Sequence, residues 1–203
     1  MPATDVTIVV LSRYPDLFDR VRADINLHTV PFTTTRVLVR DGHAIVAPVG
    51  WVTLQGPPTF NYSRNVNLGW AFGRNDIIMI GDDVRIESSF VSELRRVAYS
   101  DPRIAVAVPE LGGQSIFVFC YIKRSVIDAV GYLDEQFDSY GYQDNDFYRR
   151  YEDAGYHTQP TPEVKARHVG GTSFLRRHTE GAESMQSACD RMRELYDKKW
   201  SNK

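Results

Sequence analysis

Apolar, β-branched runs alternate with segments of helical periodicity through the first 110 residues, and that order restricts the chain to a mostly parallel sheet covered by helices. DVTIVVL at 5–11 is a strand-like run ending at Ser12, and 14–27 places Leu17, Phe18, Val21 and Ile25 at helical spacing. TTTRVLVRDG at 33–42 predicts a second strand. Asp41-Gly42 either ends that strand or turns it as a hairpin into the run 43–54. Residues 61–74 then predict a helix through Val66, Leu68, Trp70, Ala71 and Phe72, with Trp70 and Phe72 expected in the core. Gly69 lowers helix propensity there and needs a separate reason. The buried run DIIMI (76–80), a helix over 88–102 and the strand RIAVAVPE (103–110) complete the alternation.

Beyond residue 110 the pattern loosens. SIFVFCYIKR (115–124) reads as a strand, SVIDAVGYL (125–133) as a short helix, DNDFYRRYEDAG (144–155) as a helix stopped by Gly155, and about 181–200 as a closing helix. With 203 residues, 42% of them hydrophobic, the chain supports one domain spanning 1–203. The formal charge of −2 advertises no anionic polymer as partner. No run approaches the ~18–20 apolar residues of a membrane span. A soluble, cytoplasmic protein with ordinary thiols at Cys120 and Cys189 is expected.

Sheets of this kind bind ligands beyond the carboxyl ends of their strands. There stand two adjacent carboxylates, Asp82 and Asp83. Their repulsion is offset where a hard divalent cation, Mn2+ or Mg2+, shares the site with phosphate oxygens; a solvated acidic turn is the plainer alternative. Asp144 and Asp146 fall in the first turn of a helix beneath aromatic residues, where helix capping accounts for one of them and a general base for the other. His168, before Gly170 and Gly171, is a third candidate ligand.

The ordered set SRN (63–65), GDDV (81–84), VGYLDEQF (130–137), YGYQDNDFYRR (140–150), EDAGY (152–156) and HVGGTS (168–173), closed by ELYDKKW (194–200), resembles the family 2 glycosyltransferases of GT-A fold over nearly the whole chain. The resemblance implies an α/β fold with a single Rossmann-like, mostly parallel sheet flanked by helices. Its nucleotide-sugar-binding half would be 1–110 and its acceptor and catalytic half 111–203. It implies inverting transfer of a sugar from a nucleotide-diphosphate sugar to the hydroxyl of an acceptor, which is left open as a glycan, protein, small molecule or modified nucleobase. Asp83 and His168 match metal-contacting positions, and Asp144 matches the catalytic base. Ser12, Asp41, Arg64, Asn65, Asp82, Gly112 and Gly113 match the donor-binding set.

Three departures stand out: Gly81 at the first position of the DxD element, Gln143 where a glutamate usually precedes the base, and RDGHAIVAP after the second strand. The first two leave open an inactive module that binds a nucleotide sugar or glycan. A nucleotidyltransferase is the third class, for which LSRYPD is a poor phosphate loop. Tyr140 and Tyr142 are candidates for stacking on a sugar, and Arg176-Arg177 for a solvated face or a contact to diphosphate.

Overall fold

In the computed structural model, residues 6–29, 33–42, 45–46, 48–111, 116–139, 141–169, 173, 176 and 183–201 are described. The first strand, β1 (Val6–Ser12), is buried on both faces, as its unbroken apolar run requires. It pairs in parallel with β2 (Thr34–Arg40) on one side and β4 (Ile77–Gly81) on the other. β3 (Val52–Gln55) adds a parallel edge to β2, with Val37 opposite Val52. That excludes the hairpin at Asp41-Gly42, because hairpin strands are antiparallel. Asp41 instead stands at the carboxyl end of β2.

The other strands of this sheet are β6 (Ile104–Pro109), β7 (Phe119–Ile122) and β8 (His157–Thr161), giving seven in the order β3-β2-β1-β4-β7-β6-β8. β7 runs antiparallel to both of its neighbours, while β6 and β8 pair in parallel. A separate two-stranded antiparallel sheet joins β5 (Val84–Ile86) to β9 (Ala166–His168).

Period-two alternation along the strands sorts the core into two layers. Ile8, Val10, Ile78 and Ile80 face α1 (Pro15–His28) and α3 (Val91–Ala98). Val9, Val37, Ile77 and Met79 face α2 (Tyr62–Phe72), α4 (Arg124–Val130) and α5 (Gln143–Asp153). In the second layer Trp70 is fully buried, edge-on to Phe117 at 5.8 Å and to Phe147 at 5.3 Å.

Gly69 now has its reason: a Cβ there would enter Val9 Cγ1 and stand 3.3 Å from Val39 Cγ2, so its absence lets α2 lie directly on β1 and β2. Phe72, expected in the core, is instead 43% exposed. It lies two residues past Trp70, about 200° round the helix and off the apolar stripe. The chain closes with α6 (Met185–Trp200), whose N-cap Ser184 accepts the Ser187 amide at 3.1 Å.

Candidate active site

The sheet order reverses at β1, from which the chain leads outward to β2 and β3 on one side and to β4 on the other. In open α/β sheets, ligands bind at such a switch point, beyond the carboxyl ends of the strands. Leu11 and Gly81 are register partners at that edge, which sets Ser12 beside Asp82. Ser12 Oγ donates to Asp82 Oδ2 at 2.6 Å, and the Ser173 hydroxyl donates to Asp82 Oδ1. Burial pushes the Asp82 carboxyl up to about 6, against the pull of the two serine hydroxyls and with further upward pressure from Asp83 and Asp16.

Asp83 is placed by the small sheet. Its carbonyl accepts the Val169 amide at 2.9 Å, and the pairing of Val84 with His168 brings His168 Nε2 to 3.2 Å from Asp83 Oδ1. Two donors on adjacent positions of an octahedral cation at ~2.1 Å stand ~3 Å apart, so this pair fits a divalent ion with phosphate or water oxygens completing the shell. Among the described residues no cluster of three or more His, Cys, Asp or Glu side chains is set to hold a metal by itself.

At Gly81 a Cβ would stand 3.2 Å from Asp83 Oδ1 and 3.4 Å from Val118 O, so a larger residue would crowd the Asp83 carboxylate. The small sheet is tied to α1 by Asp24, which accepts Arg85 Nε at 2.7 Å, Arg85 Nη2 at 3.1 Å and the Ile86 amide at 3.1 Å.

Asp41 completes the same edge. Its amide donates to Ser12 O at 3.0 Å, and Arg13 Nη1 lies 4.0 Å from its carboxylate. Asn65 is buried on α2 with neither side-chain amide atom hydrogen-bonded among the described residues; its Oδ1 lies 2.5 Å from where a Cβ on Gly56 would stand. Arg64, half-exposed, pairs with Glu135 through Nε at 2.8 Å. Its neighbours on α2 make the same loop their partner: Ser63 Oγ donates to Phe137 O at 2.6 Å and Asn67 Nδ2 to Leu133 O at 2.9 Å. Gly112 and Gly113 lie outside the described residues, as does Tyr140.

Asp144 is half-buried in the first turn of α5 and accepts the Asn145 amide at 3.1 Å. Asp146 is not a second acid of the site. It is fully buried and bonded to Arg150 Nε at 3.0 Å, Lys199 Nζ at 2.7 Å and Trp200 Nε1 at 3.0 Å. The Tyr142 ring lies tilted against Tyr196 at 5.4 Å, and its hydroxyl accepts Arg193 Nε at 2.8 Å. Arg176 is tied to α1, both of its terminal nitrogens bonding the Asp16 carboxylate at 2.7 and 2.8 Å, while Arg177 lies outside the described residues. Glu135 and Ser173 stand within VGYLDEQF and HVGGTS without a role read for them there, and nothing in the pattern around Asp16 marks it.

No family model matches the sequence, and no curated protein matches it. Solved structures do match in three dimensions. A mannosyltransferase from Pyrobaculum calidifontis, in complex with GDP-Man and Mn2+, superposes with a TM-score of 0.67 at 8% identity, over 95% of this chain and 69% of its own. GalNAc-T7, with UDP, GalNAc and Mn2+, gives 0.68 at 10% identity over 82% of this chain, which spans only 44% of that longer protein.

The chain has the GT-A fold. A third GT-A structure, the catalytic domain of Drosophila β1,4-galactosyltransferase 7 in complex with xylobiose, gives 0.55 at 14% identity over 86% of this chain and 72% of its own. At these identities the likeness is one of fold. Among the described residues of this GT-A chain, no helix is long and apolar enough to cross a membrane.

Proposed function

We propose that this protein is a metal-dependent, inverting glycosyltransferase of family 2 that moves a sugar from a nucleotide-diphosphate sugar to an acceptor hydroxyl. The observation that carries the reading is the approach of Asp83 and His168 to 3.2 Å at the switch point of a GT-A sheet, beside the buried Asp82. Asp83 and His168 would hold Mn2+ or Mg2+. What such a cation supplies there is positive charge for a departing diphosphate.

Ser12, Asp41, Arg64, Asn65 and Asp82, with Gly112 and Gly113, form the donor set, so that residues 1–110 mainly bind donor and 111–203 mainly acceptor. Ser12 fixes the Asp82 carboxylate through the 2.6 Å bond, which orients it toward a nucleoside hydroxyl. Asp144 takes the proton of the acceptor hydroxyl as its oxygen attacks the anomeric carbon from the face opposite the diphosphate. One displacement inverts the configuration.

Calorimetric titration with UDP, GDP, CMP, dTDP and ADP, with Mn2+ and then with chelator, tests the reading. Selective binding that the chelator abolishes is expected, followed by turnover of the matching nucleotide sugar. No binding of any nucleotide overturns it. Binding without turnover on an acceptor panel favours a recognition module.

A further inference from the structure

The contacts of α6 fall along one stripe and converge on the short segment that carries Asp144. Cys189, Arg193, Tyr196 and Trp200 follow one another at steps of four, three and four residues, one face of a helix. At the first step, a Cβ on Gly141 would stand 3.4 Å from Cys189 Sγ, and Gly141 itself has φ +99°. At the next two, Arg193 and Tyr196 hold the hydroxyl and the ring of Tyr142. At the last, Trp200 and its neighbour Lys199 hold Asp146.

Tyr142 makes this grip informative. It is the one non-glycine among the described residues with positive φ, at +65°, a backbone state that persists only where surroundings enforce it. It is also the N-cap of α5 and contributes no side-chain cap bond, so the hydroxyl is committed to α6 rather than to its own helix. Asp146, four residues on, is bonded by cations from both sides: Arg150 also binds the carbonyls of Val130, Gly131 and Tyr132, and Lys199 also binds Asp134 at 2.7 Å. Asp144 lies between these two fixed points and is the residue of the pair left half-buried.

We propose that α6 is a clamp that sets the direction in which Asp144 faces the acceptor, with Arg193, Tyr196, Lys199 and Trp200 as positioning residues acting through Tyr142 and Asp146. The proposal rests on the assignment of Asp144 as base. Misplacing a reacting group by ~1 Å costs on the order of a hundredfold in rate, so a loosened clamp lowers turnover while leaving nucleotide affinity, set by side chains outside α5 and α6, unchanged.

Full-length Trp200→Phe, Lys199→Met, Lys199→Arg and Arg193→Gln proteins test it by two independent readouts. Amide hydrogen exchange at 143–147 needs no substrate, and turnover is followed as nucleotide release from UDP- and GDP-linked sugars with Mn2+. Exchange in the first turn of α5 is expected to accelerate roughly tenfold or more in Trp200→Phe and Lys199→Met, with the melting midpoint little changed. Turnover number falls about tenfold or more, the Kd for UDP or GDP stays within about twofold, and Lys199→Arg restores both readouts. Unchanged exchange at 143–147 overturns the clamp. So does faster exchange with undiminished turnover. If the wild-type protein binds none of UDP, GDP, CMP, dTDP and ADP, the transferase reading fails instead, and exchange alone decides whether α6 fixes the start of α5.

Discussion

His168 Nε2 stands 3.2 Å from Asp83 Oδ1 because Val84 and His168 are register partners in a sheet of two three-residue strands. The residues are 85 positions apart, and neither β5 nor β9 belongs to the main sheet. The position of His168 therefore depends on this small sheet keeping its register, and a one-residue slip would turn the imidazole to the opposite face.

Asp83→Ala removes one of the two donors and is expected to weaken Mn2+-dependent nucleotide binding by at least about tenfold, the cost of losing even an outer partner of a metal ligand. Calorimetry with and without chelator reads this directly. The variant should bind nucleotide equally in both conditions. A retained difference would place the cation elsewhere.

Asp144→Asn keeps the shape of the side chain and its acceptor oxygen for the Asn145 amide, but loses the capacity to take a proton. Transfer is expected to fall by about 10²–10⁴, the usual contribution of a general base, while nucleotide affinity stays within about twofold. Loss of affinity in parallel with rate would show a residue of the donor site rather than a base.

The sequence made the strand ends readable and the cross-chain partners unreadable. The runs before Ser12 and Asp82 are apolar on both faces, so their burial and their termini follow from local pattern. β8, HTQPT, carries a proline and no apolar alternation; it is a strand because it lies beside β6 at the sheet edge, where a missing amide is tolerated. Asp146 resembled a cap, and only the approach of Lys199 and Trp200 shows it as a buried anchor. Ser173 meets Asp82 across 91 residues and Arg176 meets Asp16 across 160, separations at which periodicity carries no information.

Gly69→Ala tests how closely α2 lies on the sheet. On helix propensity alone, alanine would stabilise by ~1 kcal/mol. Here the added methyl enters Val9 Cγ1 on a fully buried strand, and overpacking costs roughly 1–3 kcal/mol, so the sign reverses. Urea unfolding should show a lower midpoint with an unchanged slope. A midpoint at or above that of the wild type would mean that α2 shifts freely on β1 and β2.

Asp24 ties the small sheet to α1, and its contribution depends on pH with a definite sign. Burial raises its carboxyl, but the two bonds from Arg85 and the bond from the Ile86 amide outweigh burial and hold it below its ordinary 3.8. A carboxylate depressed in the folded state stabilises fully above its unfolded value, and that stabilisation is lost as pH falls through the folded value. Replacing it by Asn should therefore cost nearly the same from pH 8 to about 5, with a small rise as the nearby His28 gains charge, and progressively less below about 4. Hydrogen bonds to a charged group suggest roughly 1–3 kcal/mol, at the lower end because Arg85 is 40% exposed. Urea unfolding of both proteins at intervals from pH 8 to pH 3 gives the curve. A difference that stays flat through the acid limb would show that packing, and not the charge on Asp24, holds β5 against α1.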